Sequence, residues 1–354
     1  MPLGANTSSV KRLLGLLAVL TALLLTVALS HAVGFTYASF NSGSGNRTNV
    51  VGNDSLGAPT LAVPTPSGAG ATGTVDLSWT VPSGDPSNQS IVLRGASACP
   101  PGTFTTIATP SATSYTDTPG AAGVYCYEIE GKLGNWTSQP SNQQTMTVYE
   151  LPVLIQSTSD SAASATSVSA SFSSNPVAGH LLVAVLGARD DTVINAPSGW
   201  STAINESGVP SQAIFYKIAA GSSDKSVTVT TSVATRLGLS VLEYSGITAA
   251  SELDQTVSAT GKGGTVTFGS VTTTQRVELL VAAATVDGNI STTGYSDSFT
   301  LEIDFRNKGQ DKADFSAADR IVYTTGTYTT TTTTSGGSPG DWRGQIVAFK
   351  AGTN

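Results

Sequence analysis

The sequence is poor in the residues that usually carry chemistry. Of 354 residues only two are histidine, His31 and His180, and only two are cysteine, Cys99 and Cys126. A Ser–His or Cys–His mechanism needs an imidazole held beside its nucleophile. His31 falls in an export-type segment and His180 heads an apolar run, so neither is expected to serve. A zinc site needs more ligands than these. There is no CxxC redox pair and no phosphate-cradling P-loop. Charged residues make up 12 % of the chain, about half of the roughly 25 % usual in soluble proteins. Residues 1–32 hold Lys11 and Arg12 and no acid. Without them, 15 basic face 24 acidic residues. An acidic chain with no basic patch argues against nucleic acid and anionic membranes as partners. Residues 151–352 show no convincing 3.6-residue period, and beyond an N-terminal signal or anchor helix the chain reads as all-β.

One long apolar run exists, Leu13–Leu29. With Lys11-Arg12 before it and Ser30-His31-Ala32 after it, residues 1–32 read as a signal peptide cleaved after Ala32. An uncleaved N-terminal membrane anchor is the alternative, and the membrane's only expected role. Phe35-Thr-Tyr-Ala-Ser-Phe40 resembles the start of prokaryotic exported proteins with SipW-type signals. That resemblance implies a secreted or cell-surface protein. Residues 33–57, rich in Asn, Gly and Ser, read as a flexible spacer.

Residues 58–149 contain short, regularly spaced strand patterns. Val75, Leu77 and Trp79 alternate on one face. Ile91–Arg94, Phe104–Ile107, Ser114–Thr116, Val124–Ile129 and Thr145–Val148 follow, as a β-sandwich requires. Pro59, Trp79, Tyr125, Tyr127 and Ser138–Asn142 together resemble a fibronectin type III module. Cys99, after the third strand, and Cys126, on the sixth, are expected to form a disulfide, since an isolated pair in an exported chain serves as a staple.

Residues 151–352 repeat themselves. His180–Ala188, HLLVAVLGA, returns as Val277–Thr285, VELLVAAAT, with Leu181 and Leu279 98 residues apart. Pro197–Trp200 answers to Thr292–Tyr295, Phe215–Ile218 to Asp319–Val322, and Gly238–Tyr244 to Gly344–Lys350. This is one β-rich unit used twice. Its two apolar runs are near continuous, so they should be central strands covered on both faces. Lys225–Thr231 aligns with the threonine run Thr329–Thr334, so that run should be strand. Gly179–Val183, Pro197–Trp200, Val241–Gly246, Ala317–Arg320 and Val347–Lys350 resemble a recurrent domain of bacterial and phage surface proteins. The resemblance implies a jelly-roll antiparallel β-sandwich, and no defined ligand.

Four sets of residues are site candidates. Asp190, Asp191 and Asp287 follow the two equivalent strands. They are candidate Ca²⁺ ligands, or a carboxylate pair for glycoside hydrolysis. No other cofactor is expected. Asp304–Arg320 is the densest charge in the chain, read as a long solvated hairpin connection. Asp304, Arg306 and Lys308 are its candidate ligand contacts. Trp136, in a loop of the first module, is the candidate exposed aromatic, whereas Trp200 and Tyr295 should pack. Cys99 and Cys126 complete the set. The expected function is a secreted or surface-displayed, non-enzymatic adhesion protein, with an extracellular glycan or cell-surface component as partner and the fibronectin-like module as spacer. The alternatives are a carbohydrate-active protein, whether sugar-binding accessory module or hydrolase, and a structural surface-layer or fibre component.

Overall fold

The computed structural model describes residues 55–66, 73–247, 252–306 and 313–353. The export segment and nearly all of the spacer lie outside them, as do residues 307–312 and with them Lys308. The described residues form antiparallel strands with one 3₁₀ turn and no α-helix.

The first group of strands is β1 (Thr60–Leu61), β2 (Thr65–Pro66), β3 (Val75–Thr80), β4 (Gln89–Gly95), β5 (Thr105–Ala108), β6 (Ser114–Asp117), β7 (Gly123–Leu133), β8 (Trp136–Thr137) and β9 (Gln144–Val148). β3 pairs with β1, β2 and β6 in one sheet. The other runs β5-β4-β7, with β8 and β9 on β7. Val75, Leu77 and Trp79 do face one core, with Val92, Tyr127 and Ile129 opposite. Asp117 is buried, yet it ties the two sheets: it accepts from Arg94 Nη1 at 2.9 Å and from the Tyr127 hydroxyl at 2.8 Å. A buried carboxylate is tolerated only with donors of this kind. Cys99 and Cys126 are bonded, with Cα atoms 5.1 Å apart.

The repeat appears as two sheets of matching topology. The first half holds β10 (Val153–Ser171), β11 (Leu181–Ala188), β12 (Ile194–Asn195), β13 (Ser201–Glu206), β14 (Ser211–Ile218) and β15 (Ser226–Ser245). The second holds β16 (Leu253–Lys262), β17 (Val271–Thr272), β18 (Glu278–Tyr295), β19 (Thr300–Arg306), β20 (Ala313–Val322), β21 (Thr327–Tyr328) and β22 (Thr332–Lys350). The strand orders are β10-β15-β11-β14-β13 and β16-β22-β18-β20-β19. The two apolar runs, β11 and β18, hold corresponding internal places, and every residue of β11 is buried.

Both faces of these strands are used. Leu181, Val183 and Val185 meet Leu279, Val281 and Ala283 in a core between the halves. Leu182, Ala184 and Leu186 face an outer core in the first half, and Leu280, Ala282 and Ala284 face another in the second. The outer cores are covered by long strands that bend at bulges, β10 near Ser164 and β18 near Gly288. Phe315 reaches across from the second half and lies over Gly187 and Gly238, where a Cβ would collide with its ring.

The strand registers correct two matches read from the sequence. Leu181 pairs with Ile218 and Tyr244, whereas Leu279 pairs with Ile321 and Phe349. Ile218 therefore corresponds to Ile321 rather than Val322, and Tyr244 to Phe349 rather than Lys350. A one-residue slip exchanges the faces of a strand, and only the corrected alignment puts Ile218, Ile321, Tyr244 and Phe349 in the shared core. A second correction concerns Asp304–Arg320. Its C-terminal part is strand β20, buried from Ala313 to Ala318, not a solvated connection. Within the threonine run, Thr332–Thr334 are strand and Thr331 forms a bridge, while Thr329 and Thr330 lie outside strands.

Candidate functional site

Asp190 and Asp191, just after β11, and Asp287, within β18, are not brought together. Asp190 accepts from the Thr235 hydroxyl at 2.6 Å, and Asp191 is exposed. Asp287 accepts from Arg189 Nε at 2.5 Å. Arg189 and Asp287 occupy equivalent positions of the two halves, so this ion pair crosses the seam between them. Among the described residues no three His, Cys, Asp or Glu side chains converge on one point. Trp136 sits in the two-residue strand β8, paired with Leu133 across Gly134, and is half-buried rather than exposed. Trp200 packs against the outer core of the first half and Tyr295 against that of the second. His180 bonds Glu243 at 2.7 Å. Burial works against ionising Glu243, but the Val177 N–H, Gln156 and His180 outweigh it and hold the carboxyl below its usual range.

A different acid pair is assembled at the β19–β20 end of the second half. Asp304 lies on β19 opposite Ser316, and Asp314 lies two residues before Ser316 on β20. Alternation sends Ala317 into the shared core and Phe315 over Gly187 and Gly238, so Asp314 and Ser316 take the other face. Both carboxylates reach one backbone N–H, that of Thr292, Asp304 at 3.1 Å and Asp314 at 3.2 Å. The Thr292 hydroxyl donates to Asp314 at 2.7 Å. Ser316 Oγ bonds Thr292 Oγ1 at 3.2 Å, and the Tyr295 hydroxyl bonds Ser316 at 2.9 Å. Arg306 is exposed beside them and donates to the Asn289 side-chain oxygen at 3.1 Å.

The two acids differ in environment. Asp314 is fully buried and its Oδ1 meets no donor. Asp304 is exposed. Burial, and then the charge of Asp304, push Asp314 up to about 7, against the pull of Thr292. Burial also raises Asp304, while Asp314, Thr292 and Arg306 pull it down. The two carboxyls share the Thr292 N–H, so each feels the other's charge. The arrangement can accept a cation or a ligand's hydroxyl groups through Asp304, with Asp314 behind it.

Sequence reading reached Asp304 and Arg306 but missed Asp314, Thr292 and Ser316. The available signal was alternation in Ala313-Asp-Phe-Ser-Ala317, which puts an acid and a hydroxyl on one face and Phe315 on the other. The density of charge concealed it. In the first half, register places Asn205 and Ser211 where the second has Asp304 and Asp314, so the acid pair belongs to one half alone. Elsewhere, an open groove of about 510 Å³ on the first sandwich carries Asp76, Thr116 and a single aromatic ring, Tyr115.

No protein-family model matches the chain. No curated protein matches it either. Among solved structures, one titled "Titin kinase and its flanking domains" is similar over 46 % of this chain, at 11 % identity and a TM-score of 0.24. The match spans 37 % of that structure's chain.

Proposed function

We propose that this is an extracellular, non-enzymatic binding protein that contacts its partner through the β19–β20 end of the second half. The carrying observation is Asp314: a fully buried carboxyl with one oxygen lacking a donor, directly behind the exposed Asp304 and beside the exposed Arg306. Polar groups projected from a rigid sandwich end suit recognition of a hydroxyl-rich glycan or a cell-surface component. Register supports the orientation. The part of β18 paired with β20 runs from Glu278, near the first sandwich, to Asp287, beside the start of β20. At the Glu278 end, the Glu150 N–H donates to the Gly352 carbonyl at 2.7 Å and Arg276 stacks over Tyr149. Ten paired residues of β18 separate these ends, roughly 30 Å at about 3.3 Å per residue. The first sandwich then serves as spacer.

The disulfide supports an oxidising location. The fibronectin-like reading of residues 58–149 rests on Trp79 in the core and on Tyr125, whose hydroxyl returns to the Ala121 carbonyl at 3.0 Å as a tyrosine corner does. The jelly-roll reading of 151–352 rests on the long strands that bend from the facing sheets over the outer cores. The test is binding of the full chain to glycan and cell-wall fragments, with and without Ca²⁺, beside Asp304→Asn and Arg306→Ala. Binding that falls at least tenfold in both variants is expected. Binding that both variants retain sinks the assignment, and a chain that binds nothing is a structural component. Hydrolysis of a fragment, lost in Asp304→Asn, makes it a carbohydrate-active enzyme.

A further inference from the structure

A second buried acid set lies at the opposite end of the second half, where β16, β18 and β22 run side by side. Lys350 Nζ lies 3.1 Å from Asp254 Oδ1, and the Asp254 side chain is 2 % exposed. Glu278 is fully buried and stands directly opposite Lys350 on the neighbouring strand. Its Oε1 accepts the Thr274 and Gln275 N–H groups at 3.1 and 2.7 Å, but no donor reaches Oε2. Asp254 also takes the Thr274 N–H at 2.8 Å and the Thr274 hydroxyl at 2.5 Å.

We propose that Lys350 and Asp254 condense to an intramolecular amide that ties β16 to β22, with Glu278 relaying the proton. The reacting groups are already in contact and held by paired strands, which removes most of the entropic barrier to joining them. One ammonium cannot neutralise two buried carboxylates. Glu278 shares the Thr274 N–H with Asp254, and burial pushes its carboxyl up to about 7. That places a general acid where an oxygen must leave. The ammonium loses a proton toward the carboxyl pair, and Nζ attacks Cγ of Asp254 to form the C–N bond. The Thr274 N–H on Oδ2 stabilises the charge on the tetrahedral carbon's remaining oxygen. Glu278 protonates the departing oxygen, which leaves as water, and recovers its proton from the former ammonium. Ammonium and carboxylate become amide and water, with no oxidant or co-reactant.

The first half is an internal control. Its bulge in β10 matches the bulge in β16. The equivalent positions there are Ile155, His180 and Ser245, which cannot make the bond. The tie would sit where the first sandwich joins, and would clamp the first and last long strands of the second half.

The experiment is mass analysis of the purified full chain, denatured and reduced, with peptide mapping. A peptide carrying Asp254 joined to one carrying Lys350, lighter than their sum by one water, is expected. It should be absent from Lys350→Arg, which keeps the charge, and from Glu278→Gln, each checked for native circular dichroism. Unjoined Asp254 and Lys350 peptides from folded wild-type protein overturn the proposal. A cross-link that survives in Glu278→Gln overturns the role given to Glu278.

Discussion

Asp314 places a proton-binding group in the core of a strand, and its consequence is a pH dependence of known sign. In the unfolded chain its pKa returns to the ordinary carboxylate range near 4. In the fold, burial and Asp304 raise it to about 7. The folded state therefore binds the proton more tightly. The stabilisation is fully present below the unfolded pKa and is lost as pH rises through the folded one. Stability should fall between about pH 4 and 7, by on the order of 1 kcal/mol per pH unit from this group. Glu278 is raised in the same direction, so the wild-type slope contains both. Urea unfolding of wild type and Asp314→Asn across this range isolates the Asp314 share, and the variant should be the flatter. An equal slope in the two would remove Asp314 from the account.

At the scale of elements, β11 and β18 each have a hydrogen-bonded neighbour on both sides and a core on both faces. Opening either exposes two cores at once. β13 and β19 are edges, each paired on one side only. Native-state hydrogen exchange follows such differences in local stability. Amides of Leu181–Ala188 and Leu279–Thr285 should be the slowest in residues 151–352, by about two orders of magnitude or more over the edge strands. Comparable protection in β13 would contradict this layering.

At the scale of the molecule, the two halves are bound by more than apolar surface. Arg343 is buried and donates from the second half to the Pro210 carbonyl at 2.9 Å and the Ser207 carbonyl at 3.0 Å. The Tyr244 hydroxyl donates to Asp319 at 2.9 Å, and Gln212 donates to the Ala283 carbonyl at 2.9 Å. Separating the halves would expose the shared apolar core and leave these buried groups unpaired, costing roughly 1–3 kcal/mol each. Residues 150–247 produced alone should therefore aggregate or self-associate, whereas 150–352 should run as a soluble species on gel filtration. A stable monomer of 150–247 would mean that its outer core suffices.

The sequence by itself determined the class of fold, the doubling and the cysteine staple. These are carried by local patterns: alternation, apolar run length, and two cysteines without other partners. It also put β11 and β18 at the centre, because a continuous apolar run needs cover on both faces. It could not decide which acids meet. Asp190, Asp191 and Asp287 looked equivalent by position, yet Asp287 is taken by Arg189 across the seam and Asp190 by Thr235. Asp314 comes to Asp304, and Glu278 to Asp254 and Lys350, only through strand registers spanning 10 to nearly 100 residues. A register slip of one residue changes no composition and no periodicity, but it moves a side chain to the other face of the sheet. Contacts between acids depend on that choice, so the tertiary structure alone decided them.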